Sequence, residues 1–190
     1  LPHGPRKAAE FSDRVAVAAT MDERADDVRA VMDAAGVTGP AVLCGYSEGA
    51  SLAAYYAAFH PGQLSHLIIN GGLPKFHAGD DYPFGLSAEK IRKSATFYPS
   101  GRLLGVAAPS WIEDAQIQDN AARYERLSCS PGNYRALIEL NLKLDARHIL
   151  PQVRVPTLVL HRKQDQLAPI GGGRYFAEHI PGAKLIEYDG

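Results

Sequence analysis

The part of the chain that most constrains the fold is a succession of strand, helix and strand between residues 40 and 70. Residues 40–45 (PAVLCG) form a short continuous apolar run, which is typical of a strand covered on both faces. Residues 48–59 are rich in alanine and predict a helix that a His-Pro-Gly sequence ends, and residues 64–70 (LSHLIIN) predict a second buried strand. Because such a succession joins parallel strands by a right-handed crossover, we expect an α/β protein with a parallel sheet and flanking helices.

Further helix and strand patterns flank this unit. Thr20 and Glu23 have the spacing of a capping box, and the apolar face of a helix follows as far as Gly36, a natural C-terminal stop. Downstream, the pattern predicts a strand over residues 155–161, a helix over 170–180 and a last strand over 183–188.

Between the two halves of this pattern, the sequence changes to helices and loops. Ser110 and Glu113 have capping-box spacing and predict the start of one helix, and Ser130 followed by Pro131 predicts the start of another. The expected division is an α/β core of residues 1–72 and 151–190 with a helical cap insertion of residues 73–150.

Composition narrows the classes of function. The 190 residues carry 20 basic and 21 acidic side chains and no basic run, which argues against direct binding of nucleic acid. The longest apolar stretches have the length of a strand, so no membrane-spanning helix is expected. Cys44 and Cys129 are too few for a disulfide framework or a zinc site, and Cys44, inside an apolar run, is expected to be a buried thiol. A cytoplasmic location fits this composition.

Residues 45–49 read Gly-Tyr-Ser-Glu-Gly, a match to the pattern G-x-S-x-G at a turn from a strand to a helix. Such a turn exposes the hydroxyl of Ser47 above the sheet and needs small neighbours, which the two glycines supply. The same turn puts Ser47 at a helix N-terminus, where the backbone N–H of Glu48 can donate to a developing oxyanion. Ser47 is therefore the candidate nucleophile, and the alternative is a serine that caps the helix.

A serine nucleophile needs a base, and the base needs an acid that orients it. Asp165 follows the strand that ends at His161 and is the candidate acid; a helix-capping aspartate is the alternative, and Asp189 is a weaker competitor. The base is expected after the acid in the chain, and the only histidine there is His179, inside a helix. We therefore expect the histidine base to be missing from these 190 residues, with His161 in a structural role.

Four stretches of the chain carry a resemblance to a known family: SDRVAVAATMDERADDVRAVMDAAG, AVLCGYSEGA, LDARHILPQVRVPTLVLHRKQD and GGGRYFAEHIPGAKLIEYDG. In these stretches the chain resembles α/β-hydrolases with a serine nucleophile, in particular bacterial hydrolase domains fused to adenylate/guanylate cyclase or LuxR-type regulators. The resemblance implies Ser47 as nucleophile, Asp165 as acid and the Glu48 amide as half of an oxyanion hole, and the expected reaction needs no metal or cofactor. It also implies an aspartate-histidine pair just past Gly190 and sheet strands upstream, so the expected fold is a partial α/β-hydrolase fold, truncated at both ends.

The expected function is that of a serine hydrolase acting on a small-molecule carboxylic ester or related acyl compound through an acyl-enzyme, inactive as this fragment. Perhydrolysis and carbon–carbon bond cleavage remain open, because the same residues support both. The alternative is a non-catalytic, hydrolase-like module that binds a ligand and acts on a fused or partner regulatory domain. A truncated reading frame without a function of its own is the third interpretation.

Overall fold

The computed structural model of the protein describes residues 19–107, 109–111 and 113–189. Four strands and seven α-helices alternate with short 3-10 turns in this part of the chain. In order, the elements are α1 (Met21–Ala34), β1 (Ala41–Tyr46), α2 (Gly49–Phe59), β2 (Leu64–Asn70), α3 (Ala88–Ser94), α4 (Arg102–Ala107), α5 (Ala115–Ser128), α6 (Pro131–Asn141), β3 (Thr157–Arg162), α7 (Ile170–His179) and β4 (Lys184–Tyr188).

The four strands form one parallel sheet in the order β1-β2-β3-β4. Gly45 pairs with Ile69, which pairs with Val159, which in turn pairs with Leu185, so these four residues form one row across the sheet. The parallel sheet with helices between its strands confirms the predicted α/β class. Because all strands point the same way, their carboxyl ends meet at one edge, where the loops after β1, β2 and β3 lie.

One face of the sheet carries the hydrophobic core. Leu67, Ile69 and Val159 are fully buried there, beneath α2 and α7. On the opposite face, within the described residues, Val42 and Ile186 are more than half exposed. Cys44 lies in register between exposed residues of that face and is itself exposed, so the prediction of a buried thiol was wrong. The apolar run around Cys44 predicts a strand, but it does not show which face of the sheet other elements cover.

Helix caps form largely as the sequence predicts. The Thr20 Oγ1 accepts from the Glu23 amide at 3.3 Å and the Glu23 carboxylate accepts from the Thr20 amide at 2.9 Å, the predicted capping box of α1. Ser130 caps α6 by accepting from the Asn133 amide at 3.2 Å. The predicted start of α5 was wrong: its N-cap is Asp114, because Ser110 already belongs to a 3-10 turn.

Helices α3 to α6 all lie between β2 and β3 in the chain, where the cap insertion is predicted. An ion-pair network ties the loop after β2 to the segment before β3. The Arg147 guanidinium lies 2.6 Å from the Asp81 carboxylate and 2.7 Å from that of Asp145. The bonds from Arg147 and Lys75 lower the pKa of Asp81 to about 2. No helix in the described ranges has the length and apolar character that a membrane span requires.

Three buried glycines, Gly171, Gly172 and Gly173, form the start of α7. Glycine weakens a helix by roughly 1 kcal/mol relative to alanine, so three in succession need a packing reason. A Cβ on Gly172 would lie 2.3 Å from Leu73 Cδ2, and one on Gly173 would lie 2.4 Å from His161 Nδ1. The glycines therefore let the first turn of α7 lie directly against β3 and the loop that follows β2.

We expect Gly173→Ala to destabilise the protein by about 1–3 kcal/mol, the usual cost of overpacking a core. Gly132→Ala is the matched control, since Gly132 also lies in a first helical turn but a Cβ there would meet only Ser130 Oγ at 3.8 Å. The control is expected to be neutral or stabilising. Urea unfolding measures both, and equal effects of the two substitutions would contradict the packing role of Gly173.

Candidate active site

The turn from β1 to α2 has the geometry predicted from the G-x-S-x-G pattern. Ser47 has φ +54°, the one non-glycine residue with positive φ in the described part of the chain. Such a conformation costs roughly 1–3 kcal/mol and persists only where neighbouring structure holds it. The Ser47 amide donates to the Asn70 carbonyl at 3.0 Å, and the Ser47 carbonyl accepts from the Ala50 amide at 3.1 Å. The sharp turn of the backbone at Ser47 is thus fixed from both sides.

Close packing requires glycine at Gly45 and at Gly72, whereas a Cβ on Gly49, the second glycine of the pattern, would meet nothing within 4 Å. A Cβ on Gly45 would lie 2.5 Å from the Gly49 carbonyl oxygen and 2.6 Å from Ala53 Cβ. A Cβ on Gly72, just after β2, would lie 2.2 Å from Ala50 Cβ and 2.9 Å from the Ser47 carbonyl oxygen. The end of β1, the start of α2 and the end of β2 therefore meet without room for a side chain at these positions.

Asp165 lies at the same edge of the sheet as Ser47, in the loop after β3. Its Oδ1 accepts from the amides of Leu167 and Ala168, both at 2.9 Å. Its Oδ2 faces the end of β2, where a Cβ on Gly71 would lie 3.6 Å away. Asn70, the residue before Gly71, supplies the carbonyl that accepts from the Ser47 amide. Ser47 and Asp165 therefore lie on either side of the last residues of β2.

Asp165 is not the helix cap of the alternative interpretation, because the N-cap of α7 is Pro169 and makes no side-chain cap bond. One carboxylate oxygen of Asp165 orders the loop before α7, and the other faces the end of β2. The competitor Asp189 is largely exposed and pairs with Lys163. Of the two carboxylates, Asp165, after β3, lies closer along the sheet to Ser47 than Asp189, which follows β4.

The two histidines from β3 onward, His161 and His179, make their contacts away from Ser47. His161 is fully buried and donates from Nε2 to the Ala168 carbonyl at 2.7 Å, while its Nδ1 faces Gly173. His179 is the last residue of α7, which starts at the edge with Ser47 and runs about 15 Å back toward the opposite edge. There its ring stacks on Tyr175, with centroids 3.7 Å apart, and its Nδ1 bonds the Tyr175 carbonyl at 2.9 Å.

Glu48 has a partner that sequence reasoning missed. Its carboxylate Oε1 lies 2.6 Å from Nη1 of Arg24, in the first turn of α1. Both side chains are about one-fifth exposed, at 20% and 19%. The two facing atoms are shielded from solvent and form a close ion pair without the alignment of a hydrogen bond. In the described part of the chain, no group of three or more His, Cys, Asp or Glu side chains is placed to hold a metal ion.

A parallel sheet with a strained serine at a strand-to-helix turn and an aspartate after a later strand defines the α/β-hydrolase fold. A family profile described as "Serine aminopeptidase, S33" (Hydrolase_4) matches residues 11–190, and the chain belongs to this family of α/β-hydrolases. The esterase EaEST from Exiguobacterium antarcticum superposes with a TM-score of 0.82 over 96% of this chain and 70% of its own, at 23% identity. That likeness confirms the fold.

Two curated relatives of the chain are named as esterases. The chain is 27% identical over 168 residues to the pimeloyl-[acyl-carrier protein] methyl ester esterase of Neisseria meningitidis serogroup C, covering 84% of this chain and 66% of the relative. It is 29% identical over 184 residues to the bifunctional esterase/perhydrolase DCH of Acinetobacter calcoaceticus, covering 90% of this chain and 66% of the relative. The chain thus spans about two thirds of the length of these relatives.

Proposed function

We propose that this chain carries the nucleophile, acid and one oxyanion donor of a serine hydrolase acting on a small-molecule carboxylic ester or related acyl compound. The observation that carries the proposal is the left-handed Ser47, held at the same sheet edge as Asp165. A strained residue of this kind at a helix N-terminus is a feature of functional sites. The esterase relatives support ester hydrolysis as the reaction.

In the proposed reaction, a base removes the Ser47 proton as Oγ attacks the carbonyl carbon of the ester. The carbonyl oxygen becomes an oxyanion and accepts from the Glu48 amide at the N-terminus of α2. Collapse of this intermediate breaks the bond to the alcohol, which leaves with the proton that the base returns. Water then attacks the acyl-enzyme with help from the same base, releasing the carboxylic acid and restoring Ser47.

The base in these steps is a histidine whose imidazolium the Asp165 carboxylate stabilises. His161 and His179 are directed elsewhere in the described structure. We therefore propose that the 190-residue chain is inactive toward esters on its own and that imidazole added to the solution can stand in for the missing base. In the alternative proposal, the same fold binds a ligand without catalysis and acts on a fused or partner regulatory domain.

The first test is intact mass after incubation with a fluorophosphonate probe, with and without imidazole. We expect one adduct that forms with imidazole, is absent without it and is absent in Ser47→Ala. Ser65→Ala is the matched control and should label like the parent, since Ser65 lies at the start of β2, at the opposite edge of the sheet. An adduct without imidazole would show a base within the chain. No adduct in either condition, from a folded chain, would contradict the hydrolase proposal and favour the ligand-binding alternative.

The second test concerns the acid. Asp165→Asn keeps an oxygen that can accept from the Leu167 and Ala168 amides, so we expect little change in stability. Loss of the carboxylate charge removes the partner of an imidazolium formed at Ser47, and we expect the imidazole-dependent labelling rate to fall by at least about tenfold. Asp189→Asn, at the exposed competitor, should leave the rate unchanged. Equal rates in both variants would remove Asp165 from the proposed site.

A further inference from the structure

Glu48 brings a negative charge next to the group that must stabilise an anion. It is the N-cap of α2 and follows Ser47 directly. The N-terminus of a helix carries a positive partial charge from its free N–H groups, and an oxyanion formed at Ser47 would draw on it. A carboxylate at the same helix end draws on the same potential and repels the oxyanion. An unpaired Glu48 would therefore work against the chemistry proposed for its neighbour.

Arg24 lies where it can cancel this charge. Helix α2 connects the parallel strands β1 and β2 and starts at the edge of the sheet that carries Ser47. Helix α1 starts beside it, since Arg24 in its first turn lies 2.6 Å from Glu48. The two helices pack together, and the Tyr55 hydroxyl of α2 bonds the Asp22 carboxylate of α1, which raises the pKa of Tyr55 to about 12. This contact sets the position of the first turn of α1, and with it the position of the Arg24 guanidinium beside Glu48.

The surroundings of the pair keep its interaction strong. Its two facing atoms are shielded from solvent, and each side chain is only about one-fifth exposed. Screening by dissolved salt is weaker for partly buried charge pairs than for exposed ones. The Arg29–Asp26 pair, also on α1, is the contrast: its side chains are 48% and 65% exposed.

We propose that Arg24 is a positioning residue of the serine turn, which neutralises the Glu48 carboxylate so that the N-terminus of α2 presents a positive potential to an anion formed at residue 47. The inference rests on the proposed role of Ser47 and names the residue that tunes it. Arg24 acts through Glu48 and does not touch the substrate.

A thiol at position 47 measures this potential without catalysis and without a base. In a Cys44→Ala background, which removes the exposed cysteine, the pH dependence of iodoacetamide alkylation of Ser47→Cys gives the thiol pKa. We expect Arg24→Met to raise that pKa by about one pH unit, because the Glu48 carboxylate is then unpaired beside the thiolate. Alkylation below the pKa slows by up to about tenfold.

The double variant separates charge from structure. Adding Glu48→Gln to Arg24→Met removes the unpaired carboxylate, and we expect the thiol pKa to return to that of the parent. Glu48→Gln alone should lower the pKa, since Arg24 then has no partner, and this variant decides the question if Arg24→Met does not fold. Arg29→Met is the control and should change nothing.

An unchanged thiol pKa in Arg24→Met, or a shift that Glu48→Gln does not reverse, would overturn the role of Arg24. Neither result bears on whether Ser47 is a nucleophile, which the fluorophosphonate labelling decides. Conversely, a chain that forms no adduct can still show the expected changes in thiol pKa, so the two proposals fail separately.

Discussion

The close contact between the serine turn and the end of β2 is the constraint on which the rest of the site depends. The Asn70 carbonyl accepts from the Ser47 amide, and Gly45 and Gly72 leave no room for a Cβ between β1, α2 and β2. A parallel pair of strands with a helix between them brings these groups together only if the helix starts directly at the strand end. The strain at Ser47 is therefore compensated by packing that the whole unit of strand, helix and strand provides.

Close packing of glycines also shapes the part of the site that contains Asp165. Gly172 and Gly173 let α7 start against Leu73 and His161, and that placement closes the loop containing Asp165 over the end of β2. Close packing at two helix starts thus brings the turn of Ser47 and the loop of Asp165 to the end of β2. At α7 the glycines give up helix propensity for close approach, a conflict between local preference and structure that is expected at functional sites.

The features that the sequence predicted correctly are those that depend on short stretches of the chain. The strand and helix patterns of residues 40–70, the capping box at Thr20 and the turn at Ser47 follow from residue types over short stretches. The exposure of Cys44 was predicted wrongly, because it depends on which face of the sheet is covered. The start of α5 was missed because Asp114 caps as well as serine does and lies nearer to the helix. The roles of Ser47 and Asp165 stay predictions.

The Arg24–Glu48 pair shows why charge placement is harder to predict than fold. The two residues are 24 positions apart, and only the packing of α1 on α2 brings them together. On sequence alone, Glu48 is a variable position of the G-x-S-x-G pattern, and Arg24 is one cation of an amphipathic helix. An acidic residue at the start of α2 stabilises the helix through its dipole, yet it competes with any anion at Ser47 for the same N–H groups. With a cation held against that carboxylate, the helix keeps its acidic N-cap and the serine keeps a favourable electrostatic environment.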